Sequence, residues 1–142
     1  MFRQKELYEL YGAYIEKVKD LERNRKFTAG LLGITKGPED DPCHDQFAKD
    51  LESGLNDFAA SDPAPKEVYS LLDYMYSVPL ENKDDNIIYW MLVAVHALAV
   101  DLISRLCKED AEVLYQQYSK DYPRWERLPA QKKTLKALKE II

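Results

Sequence analysis

Cys43, His44, His96 and Cys107 are the only thiols and imidazoles in the sequence, and four such groups are the ligand count of a structural zinc ion. Their spacing does not suit one. Adjacent Cys43 and His44 form a poor chelating pair, and the other separations match no zinc-finger pattern. Cys107 follows His96 by eleven residues, about 16 Å along a helix axis, which rules out a thiolate–imidazole dyad within one helix. No HExxH, no Glu-x-x-His and no paired carboxylates of the di-iron type occur. The sequence therefore assigns no catalytic residue, no metal and no cofactor. The two cysteines fit no CxxC spacing and read as reduced thiols.

Two further stretches come close to a ligand-binding motif. "GLLGITKG", residues 30–37, has the glycines and lysine of a phosphate-binding loop. Such a loop needs the lysine followed by Ser or Thr, between a strand and a helix, and Lys36 is followed by Gly37 with no strand before it. In "NKDDNI", Asn82, Asp84 and Asn86 alternate as in a calcium loop, but Ile87 stands where the turn needs glycine and Val93 where a bidentate Glu is needed. The first reads as a helix connector and the second as a capping turn, with Asp85 or Asn86 at the N-cap.

The elements that must position these groups are helical. Leu7, Tyr11, Tyr14, Val18 and Leu21 alternate in steps of four and three, which predicts a helix over about 3–26 with Tyr8 and Ile15 widening its inward stripe. The glycines and prolines of 24–42 then end it. Asp41 and Pro42 suit the N-cap and first residue of a second helix to about Ala60, with Phe47, Leu51, Leu55 and Phe58 inward. Pro65 opens a third, with Val68, Leu71, Leu72 and Met75 inward until Pro79. A fourth is expected over about 86–107. The fifth carries Leu114, Tyr115, Tyr118 and Tyr122 along one side and stops at Pro123. The last has Leu135, Leu138 and Ile142 facing in. The expected fold is all-α, one domain over residues 1–142, a bundle of six helices around the fourth.

"NIIYWMLVAVHALAVDLI", residues 86–103, is the most apolar stretch. Its uninterrupted run from Ile87 to Val100 is fourteen residues, short of the roughly 20 that span a bilayer, so it is expected to be the buried central helix. Trp90, Ala94, Ala97, Asp101 and Ser104 share a stripe whose small residues would admit a close neighbour. His96 lies on another face, among Leu92, Val93, Ala99, Val100 and Ile103. Burial there would keep it neutral, its ring bonded to a carbonyl or a Tyr hydroxyl. A histidine that serves only the core should tolerate replacement by leucine.

Charge is unevenly spread along this net −5 chain. Residues 31–118 carry six Lys/Arg against seventeen Asp/Glu, whereas residues 119–142 carry seven against three. Asp40, Asp41, Asp45, Asp50, Glu52 and Asp57 gather around the second helix, and such a field steers a basic partner. "YPRWERLP" adds Arg124, Trp125 and Arg127, residue types that dominate binding hot spots. The functional expectation is a non-catalytic module that binds a basic protein and can neutralise it by binding. In size and charge alone it has the character of intracellular inhibitors of nuclease toxins, the bacterial immunity proteins. Two alternatives stand beside it. One is a ligand-binding or enzymatic bundle with a pocket near Tyr89, His96 and Asp101. The other is a nucleic-acid module using Lys132, Lys133, Lys136 and Lys139, against which the acidic pI of about 5.1 argues. No apolar leader opens "MFRQKELYEL", so the expected location is the cytoplasm, without membrane attachment.

Overall fold

In the computed structural model the backbone is described for residues 2–32, 42–81, 85–125 and 129–142. The side chains are described for residues 2–20, 44–79, 91–120 and 131–142. Six α-helices and no strand are found among these residues: α1 (Gln4–Leu32), α2 (Pro42–Ala60), α3 (Pro65–Ser77), α4 (Asp85–Ala99), α5 (Lys108–Trp125) and α6 (Pro129–Ile141). Two 3-10 segments, Val78–Glu81 and Val100–Arg105, follow α3 and α4. Among the described residues no helix is long and apolar enough to cross a membrane.

The inward stripes of α2 and α3 are the expected ones. Phe47, Leu51, Leu55 and Phe58 are buried, as are Val68, Leu71, Leu72 and Met75. On α1 the stripe is narrower than expected. Leu7, Tyr11, Tyr14 and Val18 are buried and Ile15 is half-buried, but Tyr8 is 67% exposed. The reason is that α1 lies along α2 and α3, where the alternating three-and-four stripe alone fills the seam. Tyr14 stacks on Phe47 at 4.3 Å, and Tyr11 Oη donates to the Met75 carbonyl at 2.9 Å. At the start of the chain the Phe2 ring lies directly against Gly54 of α2, where any side chain would displace it.

Several boundaries differ from the periodicity reading. α1 continues through Gly30 to Leu32, because one glycine costs a helix only about 1 kcal/mol and its neighbours Ala29, Leu31 and Leu32 are strong helix formers. α5 runs past Pro123 to Trp125, so the proline gives up one backbone N–H bond to the preceding turn without ending the helix there. The expected helix over 86–107 is instead α4 followed by 3-10 turns from Val100, closed by extended backbone at Leu106. The buried residues Ala99, Leu102, Ile103 and Leu106 are spaced as well for an α-helix as for this, so the pattern could not announce the change.

α4 is packed against α2, α3 and α6, and Met91, Leu92, Ala94, Val95, His96 and Ala99 are all buried. The small-residue stripe meets no helix beyond Ala94, since Ala97, Asp101 and Ser104 are exposed. On α6, Leu138 is buried and Leu135 half-buried, but Ile142 lies past the helix end and is 41% exposed. Gln131 and Thr134 take the inward places instead. Lys66 at the start of α3 bonds Asp110 in the first turn of α5 at 2.7 Å, and its ammonium holds that buried carboxyl below the usual range.

Substitutions at two positions test this architecture by chemical denaturation. Leu72→Ala should lower stability by about 2–5 kcal/mol, the cost of a cavity in a well-packed core. Asp62, in the α2–α3 turn, has φ of 53°, so a β-branched residue there is strained. Asp62→Val should cost about 1–2 kcal/mol, whereas Asp62→Gly should be neutral or slightly stabilising.

Candidate functional site

His96 is the group whose chemistry is most constrained by its surroundings. α4 buries it to 1% exposure and three other helices close on its ring. Tyr76 of α3 stacks on the imidazole at 5.0 Å with an interplanar angle of 20°. Tyr118 of α5 brings its hydroxyl to 2.8 Å from Nε2. Thr134 of α6 brings its own to 3.2 Å from Nδ1. Burial pushes the His96 pKa down to about 3, and among the described residues no neighbouring charge opposes that shift. Burial likewise pushes the Tyr76 phenol up, with the Thr134 hydroxyl acting in the opposite sense. At neutral pH the ring is uncharged, with one nitrogen a donor and the other an acceptor, and a hydroxyl stands at each. Of the partners expected from the sequence, a carbonyl or a Tyr hydroxyl, the hydroxyl is the one found. The partner from α6, Thr134, is not legible in the apolar pattern, although Gln131, Thr134 and Leu138 recur at the spacing of an inward face.

Among the described residues the arrangement packs the imidazole on its faces and at both nitrogens. Asp101, grouped with it only in the alternative pocket reading, is exposed on the 3-10 segment, and the Tyr89 side chain lies outside the described residues. Two grooves lie elsewhere. One, of about 280 Å³, runs between the start of α1 and α3 over Phe58 and Leu71, and Gln4 Nε2 donates across it to Ser70 Oγ at 2.8 Å. The other, of about 30 Å³, lies between α1 and α2 beside Lys17 and Asp50. Among the described residues no three of His, Cys, Asp and Glu are grouped to hold a metal ion. His44 instead meets Tyr14 Oη through Nδ1 at 3.1 Å.

The acidic residues of α2 are placed on its outer side. Asp45, Asp50, Glu52 and Asp57 are all exposed. They form two rows and not one. Asp45 and Glu52 are seven residues apart, as are Asp50 and Asp57, so each pair lies on nearly one line about 10 Å long. The rows are separated by about 140° around the helix, with Lys49 and Ser53 on the arc between them. Gln46 Nε2 donates to Asp50 Oδ1 at 2.8 Å, and Lys17 of α1 borders the same row. Asp40, Asp41 and Arg127 lie outside the described residues. Arg124 and Trp125 stand in the last turn of α5, their side chains outside the described set. α2 packs mainly on α1 and α4, and α5 on α6 and α3, so these two groups belong to different helix pairs.

The hydroxyls around His96 bear directly on whether leucine would be tolerated there. His96→Leu removes the group that Tyr118 and Thr134 hydrogen-bond in a buried place, and should cost about 1–3 kcal/mol in urea denaturation. Converting all three positions, as His96→Leu with Tyr118→Phe and Thr134→Val, should recover most of that loss. A triple variant no more stable than the single one would show that the hydroxyls matter for another reason.

No family model, no curated protein sequence and no solved structure matches this chain.

Proposed function

We propose that the protein is a non-catalytic binding module that engages a basic protein through the outer side of α2. The observation that carries this reading is the placement of Asp45, Asp50, Glu52 and Asp57. All four are exposed on a helix whose opposite side, Phe47, Leu51, Leu55 and Phe58, is locked in the core. Carboxylates on such a rigid support lose little freedom when a partner docks, and their summed field accelerates encounter with a cationic surface. A protein of this kind acts by occupying its partner's cationic site. For a basic nuclease, whose substrate is an anion, that would be inhibition, and a cytoplasmic inhibitor is the form of the proposal that we favour. The two-row arrangement suits a partner whose Lys and Arg residues straddle α2, with Lys49 between them excluding a third cation on the midline.

Asp45→Asn, Asp50→Asn, Glu52→Gln and Asp57→Asn combined should leave the far-UV circular dichroism unchanged. With basic proteins retained from lysate at low salt as partners, the combined variant should slow association at least about tenfold in surface plasmon resonance. The difference should shrink as salt rises, because exposed charges are screened over about 8 Å at physiological ionic strength. If neutralising Lys132, Lys133, Lys136 and Lys139 abolishes binding and the α2 changes do nothing, the polarity is reversed and the partner is an anion, nucleic acid first among them.

A further inference from the structure

The groove between the start of α1 and α3 encloses about 280 Å³, close to the roughly 300 Å³ at which small-molecule sites begin. Three helices line it. Phe58 of α2 and Leu71 of α3 give an apolar floor, and both belong to the buried core. Arg3, Gln4 and Lys5, at the start of α1, form one wall, and Glu67 and Ser70 of α3 belong to the other. All five wall residues are exposed. Cations therefore stand on the α1 side and a carboxylate on the α3 side, above a surface that repels water. We propose that this groove binds a free apolar α-amino acid, with its carboxylate toward Lys5 and Arg3, its ammonium toward Glu67 and its side chain on Phe58 and Leu71.

The walls are held in place before any ligand arrives. Gln4 Nε2 donates to Ser70 Oγ at 2.8 Å and to the Ser70 carbonyl at 3.3 Å, which ties the start of α1 to α3. Arg3 N donates to Glu6 Oε2 at 3.0 Å, so the first turn of α1 is closed by its own side chain. The floor is fixed as well, since Phe58 and Leu71 are each only 2% exposed. A site built in advance loses little freedom when it is filled. The same strip of α2 already receives an aromatic ring. One turn before Phe58, Gly54 has no side chain, and the Phe2 ring takes that place.

The mixed charge of the walls selects the ligand. A simple carboxylate with an apolar body suits the floor and the cations but meets Glu67 as a like charge, and an apolar amine meets Lys5 and Arg3 in the same way. A nucleotide or phosphate ester would bring several negative charges past Glu67 into a space too small for it. An apolar amino acid carries one charge of each sign on a single carbon, with a side chain beside them, and so meets both walls and the floor together. The Ser70 hydroxyl, which accepts from Gln4, has a hydrogen of its own to donate to the carboxylate. The site shares no residue with the acidic rows of α2, and it stands whether or not those rows bind a protein.

Heteronuclear NMR titration of the whole chain with L-phenylalanine tests this, beside hydrocinnamate, which lacks the amine, and phenethylamine, which lacks the carboxylate. L-Phenylalanine should shift the amides of Gln4, Lys5, Glu67 and Ser70 with a Kd of about 0.1–1 mM, the range open to so small a ligand. The other two should bind at least about threefold more weakly, a modest factor because the charges stand at an exposed rim. Glu67→Gln should weaken L-phenylalanine by a similar factor and leave hydrocinnamate as tight or tighter. Lys5→Gln should weaken L-phenylalanine and hydrocinnamate and leave phenethylamine unchanged. Shifts that fall away from the groove, or none up to about 10 mM, would overturn the proposal. So would hydrocinnamate or phenethylamine binding as tightly as L-phenylalanine, or a loss in E67Q that is equal for all three.

Discussion

A helix that is apolar on nearly every side has to be covered on nearly every side, and α4 sets that condition for the rest of the bundle. Met91, Leu92, Ala94, Val95, His96 and Ala99 cannot all be hidden by one neighbour, and α2, α3 and α6 pack around them. Each covering helix must then supply an apolar stripe to α4 and find its own support. α1 lies along α2 and α3, and α5 along α6 and α3. The result is one core cluster with members from all six helices.

That condition makes the single imidazole in the middle of α4 expensive unless it is satisfied. Water is excluded, so its two nitrogens take hydroxyls from α5 and α6, and its face takes the Tyr76 ring. A polar cluster shared by four helices specifies how they sit relative to one another more sharply than aliphatic contacts do, because hydrogen bonds depend on direction as well as distance. The same cluster explains why His96 is better read as structure than as a catalytic base. Its lone pair is engaged, and burial has lowered its basicity far below neutral pH.

On the proposed reading, function is carried by the outer surfaces that the core supports. α2 and α6 both pack on α4, yet their outer sides carry opposite charge: Asp45, Asp50, Glu52 and Asp57 on one, Lys132, Lys133, Lys136 and Lys139 on the other. Such a polarity orients an approaching charged partner before contact is made. Individual exposed ion pairs contribute only about 0–1 kcal/mol, so charge of this kind governs selection and rate more than final affinity.

The amino-acid pattern by itself determined the helical class, the order of the six helices and the inward stripes of α2 and α3, because the period of the apolar residues is a local property of each segment. It also pointed to a Tyr hydroxyl at His96. What only the tertiary structure decided is which of several equivalent faces met a neighbour. Tyr8 sits on a plausible inward stripe but faces solvent, and the Ala97, Asp101 and Ser104 stripe does the same. The spacing of Ala99, Leu102, Ile103 and Leu106 permits α or 3-10 geometry, and the structure adopts the second from Val100. The six acidic positions formed one group in the sequence, but the four described on α2 divide into two rows on the helix. The partners of His96 come from 22 and 38 residues away. Periodicity shows which residues share a face, but contacts at that separation arise only when the helices pack, and packing depends on the shape and volume of every stripe at once.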